Sequence, residues 1–136
     1  MSEQTNSRIV LWGPAGDDFG ELKTSLEREG LHIESLESED EVRGVVKRGE
    51  ADLVVARLYC GFESALDLLE WMKGLPAPPP VIIVTEGRNI RLYLEAMQRG
   101  AFDCVGLPVD EQELRRIVAQ ALETRFQTEA APGGRR

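Results

Sequence analysis

A doubly wound α/β sandwich is the fold this sequence predicts, and three observations point to it. Five apolar runs of strand length alternate with five helical patterns along the chain. The third and fourth runs are apolar almost throughout, as parallel strands are when helices cover both faces of the sheet. The length of 136 residues, with 42% apolar and 29% charged, suits one domain with a single core. Each crossover between parallel strands needs a helix on a right-handed path, and five units are too few for an eight-fold barrel.

The elements justify themselves in order. Residues 8–12 (RIVLW) are too short for a helix, rich in strand formers and bounded by Gly13-Pro14, so they read as a buried strand. A helix follows from about Asp18 to Glu29, with Phe19, Leu22 and Leu26 on one face and Gly30 as its stop. The second strand is LHIESL (31–36). Ser38 with Glu41 three residues on opens the second helix, whose stripe is Val42, Val45 and Val46 and whose end is Gly49. DLVVARL (52–58) is the third strand. The third helix runs from about Glu63 to Lys73, with Leu66, Leu69 and Met72 inward and Leu68 and Trp71 beside them, until Gly74 and PAPPP (76–80) stop it. VIIVT (81–85), NIRLYLEAMQRG (89–100) and FDCV (102–105) supply the fourth strand, fourth helix and fifth strand. A last amphipathic helix spans about Asp110 to Phe126, with Leu114, Ile117, Val118, Ala121 and Leu122 inward. The expected organisation is a flexible N-terminus over 1–7, one domain over 8–126 and a disordered tail over 127–136, where polar residues and breakers dominate.

Composition narrows the function classes. Twenty-four acidic against sixteen basic residues give a formal charge of −8, which disfavours direct binding to nucleic acid or anionic lipid. No apolar run approaches the roughly 18 to 20 residues of a membrane span, and MSEQTNS has no signal-peptide character, so a soluble cytoplasmic protein is expected. Cys60, Cys104 and the lone His32 build neither a C-x-x-C motif nor a zinc site. Gly13-Pro14-Ala15-Gly16 follows a strand but meets neither the Walker nor the dinucleotide spacing, so no nucleotide cofactor is implied. Functional loops in such sheets lie at the carboxyl ends of the strands, which directs attention to Gly13-Pro14, Arg57–Gly61, Thr85-Glu86 and Gly106–Pro108.

ADLVVARL at the third strand, PVIIVTEG at the fourth, AMQRGAFDCVGLP from the fourth helix through the fifth strand, and the distance from strand one to Gly30 form an ordered set. In these the chain resembles a response-regulator receiver domain over nearly all of residues 8–124. The resemblance implies a CheY-like, flavodoxin-like five-stranded parallel sheet in the order 2-1-3-4-5, and a bacterial two-component phosphorelay. The family's chemistry uses a phosphoacceptor aspartate ending the third strand, an acidic pair after the first strand for Mg²⁺, a hydroxyl after the fourth, and a lysine before proline after the fifth. Counting from Asp52, the acceptor position falls on Arg57, the acidic pair on Gly13 and Pro14, and the lysine on Leu107, with Pro108 kept. The aromatic whose rotation reports phosphorylation maps to Cys104, and only Thr85 of the active set is retained. An arginine takes no phosphoryl group from a histidine kinase, and Gly13 and Pro14 offer Mg²⁺ no side-chain carboxylate. The expectation is a pseudo-receiver without metal or cofactor, acting by contact rather than catalysis. Its alternatives are a phosphoacceptor with a non-standard residue and a sensor binding a small anion in the vacated pocket.

Individual residues keep two readings each. The Arg57 guanidinium either pairs with Asp17, Asp18 or Glu86 and locks one conformation, or snorkels to solvent from a strand end. Asp17 and Asp18 read as ordinary acidic residues at a helix start. Asp52, about 16 Å from Arg57 along the strand, lies at the wrong end of the sheet to join a metal site. The implied strand order sets Cys60 and Cys104 about 10 Å apart, too far for a disulfide. His32 reads as a partly exposed edge residue. The resemblance implies a partner face over the fourth helix, fifth strand and fifth helix, and Arg88, Arg91, Arg99, Arg115 and Arg116, with Tyr93, lie on or beside these elements, a basic set on an acidic protein. Such a surface either is a solvated face with pairs such as Glu111 with Arg115, or docks an acidic protein or a second copy.

Overall fold

The computed structural model describes residues 7–13, 20–57, 62–87, 89–106 and 110–130. Five strands, β1 (Arg8–Trp12), β2 (His32–Leu36), β3 (Leu53–Arg57), β4 (Val81–Thr85) and β5 (Asp103–Gly106), alternate with five helices, α1 (Gly20–Arg28), α2 (Glu39–Lys47), α3 (Phe62–Met72), α4 (Ile90–Gln98) and α5 (Glu111–Ala130). The strands form one parallel sheet in the order β2-β1-β3-β4-β5, the doubly wound order expected.

The period-2 alternation of the central strands builds two cores rather than one solvated face. Val10, Val54, Ala56, Val81 and Ile83 point to one side, where they meet Val42, Val45 and Val46 of α2 and Leu66, Leu68, Leu69 and Met72 of α3. Ile9, Leu11, Leu53, Val55, Ile82 and Val84 point to the other, onto Leu26 of α1 and Leu114, Ile117, Val118, Ala121 and Leu122 of α5. Each fully buried aliphatic contributes about 1.5–3 kcal/mol, so β3 and β4 are the anchored strands. Edge strand β2 has no fully buried residue, and His32 is exposed on it.

Local signals set the helix ends. Ser38 caps α2, its hydroxyl accepting the Glu41 N–H at 3.3 Å, and the acidic first turn of Glu39, Asp40 and Glu41 complements the helix dipole. The stop at Gly49 needs φ of +72°, which glycine adopts without strain. Two boundaries move. Ser7 is 1% exposed and its carbonyl accepts the His32 N–H at 2.9 Å, so it belongs to the sheet rather than to the N-terminal segment expected over 1–7. Helix α5 runs on to Ala130, past the expected end at Phe126, because Gln127, Glu129 and Ala130 are good helix formers and no breaker intervenes before Pro132. Phe19 and the side chain of Leu22 lie outside the described residues.

Candidate functional site at the carboxyl edge of the sheet

The parallel register carries the ends of β1, β3, β4 and β5 to one edge. Trp12 stands opposite Ala56, Arg57 opposite Val84, and Thr85 opposite Gly106, which brings Gly13, Arg57, Thr85, Glu86 and Cys104 into one region. Pro14, Asp17, Asp18, Cys60, Leu107 and Pro108 lie outside the described residues.

Arg57 ends a strand whose four preceding residues are buried, and its side chain is only 12% exposed. It does not snorkel. Its Nη2 lies 3.6 Å from Oε2 of Glu86, the first residue after β4, so of the pairings expected for this arginine the one with Glu86 is present. Gly13 brings only backbone, and its N–H donates to the Leu36 carbonyl at 3.1 Å, tying the end of β1 to the end of β2. Thr85 is 6% exposed and its hydroxyl donates to the Gly87 carbonyl at 2.8 Å, with the Val105 carbonyl farther off at 3.4 Å. A hydroxyl has one proton, so the shorter bond commits it to the turn after β4. Gly87, with φ of +104°, makes that turn possible.

On the far side of Thr85 the edge opens. A cleft of about 490 Å³ lies between β4, α4 and β5, lined by Thr85, Asn89, Ile90, Tyr93, Cys104 and Gly106. Its described lining includes Thr85 but neither Gly13 nor Arg57, and Leu107 of the pocket expected between Gly13, Arg57, Thr85 and Leu107 lies outside the described residues. The space comes from β5, where Cys104 and Gly106 supply little side-chain bulk. The Cys104 thiol is half-buried, and its pKa is pushed up to about 11 by burial and secondarily by the Asp103 carboxylate. At neutral pH it is a protonated, unreactive thiol. Asn89 caps α4, its Oδ1 accepting the N–H groups of Arg91 at 3.0 Å and Leu92 at 3.2 Å.

Three of the described arginines of the expected basic set are held in ion pairs. Arg99 turns to α3, reaching Glu70 at 3.3 Å and Glu95 of its own helix at 3.3 Å. Arg115 turns to the end of α1, pairing with Glu29 at 2.9 Å in place of the expected Glu111. Arg116 pairs with Glu113 one turn back at 2.5 Å. The phase of α5 explains both: burying Leu114, Ile117 and Val118 rotates Arg115 toward α1. Arg91 is exposed and has no ion pair among the described residues; Arg88 lies outside them. On α4 the expected Tyr93 is 38% exposed, and beside it stand two apolar side chains that sequence reasoning missed, Ile90 at 68% and Leu94 at 52%. Their i, i+3, i+4 spacing opposite the buried Ala96 was the available signal.

Comparison with known proteins now bears on this geometry. The model of the response regulator receiver domain matches residues 19–119. The chain belongs to that family. As a receiver domain it is a signalling module of the response-regulator kind. It is 31% identical over 112 residues to the response regulator protein PilR of Pseudomonas aeruginosa, an alignment covering 82% of this chain and 25% of PilR. The chain thus spans about a quarter of the length of the curated relatives it matches. Among solved structures it superposes on a response regulator receiver domain protein from Clostridium thermocellum with a TM-score of 0.76 at 23% identity, covering 89% of this chain and 98% of that one. It also superposes on the beryllofluoride-activated receiver domain dimer of NtrC4, with a TM-score of 0.77 at 17% identity and coverage of 87% and 98%. Among the described residues no helix is long and apolar enough to cross a membrane, and no three His, Cys, Asp or Glu side chains converge as a metal site would need.

Proposed function

We propose that this chain is a cytoplasmic pseudo-receiver, which signals by protein contact and takes no phosphoryl group at the end of β3. The observation that carries this reading is Arg57, which ends β3 with its side chain 12% exposed and 3.6 Å from Glu86, at the position that the resemblance assigns to the acceptor. Phosphoryl transfer needs a nucleophile, a metal and a charge stabiliser together. A guanidinium is no nucleophile, and its positive charge opposes a Mg²⁺ ion where Gly13 supplies no carboxylate. The residues described here therefore do not fit the family's metal.

The test is phosphorylation from acetyl phosphate with Mg²⁺, read by intact mass spectrometry. The native chain gains no phosphoryl mass. Arg57→Asp, which restores only the nucleophile, also stays unlabelled. A stable, Mg²⁺-dependent phosphoprotein from either would overturn the reading and support a phosphoacceptor with a non-standard site.

Contact is proposed to run through α4, where Ile90, Tyr93 and Leu94 lie exposed beside Arg91. The partner is a signalling protein or a second copy of this chain; the NtrC4 receiver neighbour is itself a dimer. Sedimentation velocity across a concentration series should show self-association that Leu94→Asp weakens about tenfold, as losing one apolar anchor does. A monomer profile identical in both chains removes the second copy from the reading.

A further inference from the structure

We propose that the cleft between β4, α4 and β5 is a binding site for a small, uncharged, planar aromatic molecule. This does not depend on whether the end of β3 is phosphorylated. Size comes first. At about 490 Å³ the cleft falls within the range of roughly 300–1,000 Å³ typical of small-molecule sites, and is about three times the volume of an engineered cavity that holds benzene. One substituted or bicyclic ring fits. The space arises because Cys104, opposite Ile83, is short and Gly106, opposite Thr85, has no side chain, while Ile90 and Tyr93 stand one helical turn apart on α4 as the facing wall.

Charge decides the class. Among the described residues, none of the six that line it is ionised at neutral pH, since the Cys104 thiol keeps its proton to about pH 11. Against these residues a charged ligand would lose hydration without gaining a counter-ion. Polar handles remain for a neutral one. The Thr85 proton is committed to Gly87, which leaves the hydroxyl oxygen as an acceptor. The Asn89 carbonyl is occupied by the α4 cap, which leaves its NH₂ as a donor. The Tyr93 ring offers an aromatic wall for offset or edge-to-face stacking.

Indole is a suitable probe, being planar, neutral and equipped with one N–H donor. Titrated into the isotope-labelled chain, it should shift the amide resonances of Thr85, Tyr93, Cys104 and Gly106 saturably. Cys104→Phe fills the cleft and should weaken binding about tenfold or more, and benzoate, a charged ring of similar size, should bind about tenfold more weakly than indole. Tyr93→Ala, at a partly exposed position that folding does not need, should also weaken indole binding, and it decides the matter if Cys104→Phe does not fold. Shifts that never saturate, that map elsewhere, or that persist unchanged in the folded variants would overturn the site. Benzoate binding as tightly as indole would overturn its chemical class.

Discussion

The two ends of β3 carry the same kind of ion pair in opposite forms. At the entry end the Asp52 carboxylate accepts the Arg8 backbone N–H at 3.0 Å and the Arg125 Nε at 3.3 Å, while Arg125 Nη1 donates to the Ala77 carbonyl at 3.1 Å. The Arg125 side chain is 9% exposed, and the contact closes a separation of 73 residues. At the exit end Arg57 faces Glu86 across 3.6 Å, beyond hydrogen-bond length, and Glu86 is 55% exposed. The first is a directional clamp joining β1, β3, the turn before β4 and α5. The second is a longer attraction whose carboxylate is mostly in water, which weakens it. Of these two ion pairs, the one at the entry edge of the sheet is thus the directional one.

Cutting each pair should separate the roles by magnitude. Asp52→Ala removes an acceptor from a part-buried network and leaves Arg125 to be desolvated with one partner fewer, at a cost of about 2–3 kcal/mol. Chemical denaturation should show this as a lower midpoint with an unchanged slope. Glu86→Ala should cost less than about 1 kcal/mol, because the lost partner is mostly in water. Equal losses at the two ends would break the contrast. A larger loss at Glu86 would make the exit-end pair structural.

The same contrast shows what was readable in the sequence. The alternation of β1, β3 and β4 between two helical layers was legible because period 2 within strands and period 3.6 between them are local signals. The pairing of Arg57 with Glu86 was legible once the strand order was given, since Arg57 opposite Val84 leaves Glu86 two residues on. The clamp was not: nothing near Asp52 announces a partner 73 residues away, and Arg125 reads as one more arginine on a helix. The scattering of Arg99 and Arg115 depends on helix phase and on Glu70 and Glu29, which belong to other elements. The cleft comes from missing volume at Cys104 and Gly106, and a lack of side chain has shape only after α4 is placed against it. The tail was judged by polarity, yet the final turns of α5 need no buried face to continue as helix.

Cys104 gives the finest probe of the exit edge. In the unfolded chain a thiol loses its proton near pH 9, whereas in the fold burial and Asp103 hold it to about 11. Between those values the native state binds more protons than the unfolded one, so stability contributed by this group is complete below about pH 9 and drains away as pH rises toward 11. Tyrosines and lysines titrate in the same window, so the informative quantity is the difference between the native chain and Cys104→Ala. That difference should shrink steadily over the window as the native chain loses stability faster. Half exposure to water keeps the effect small, below that of either ion-pair variant. A difference that stays flat to pH 11 would mean the thiol is as wet in the fold as in the unfolded chain, and the edge beside Thr85 more open than the clamped end by an even wider margin.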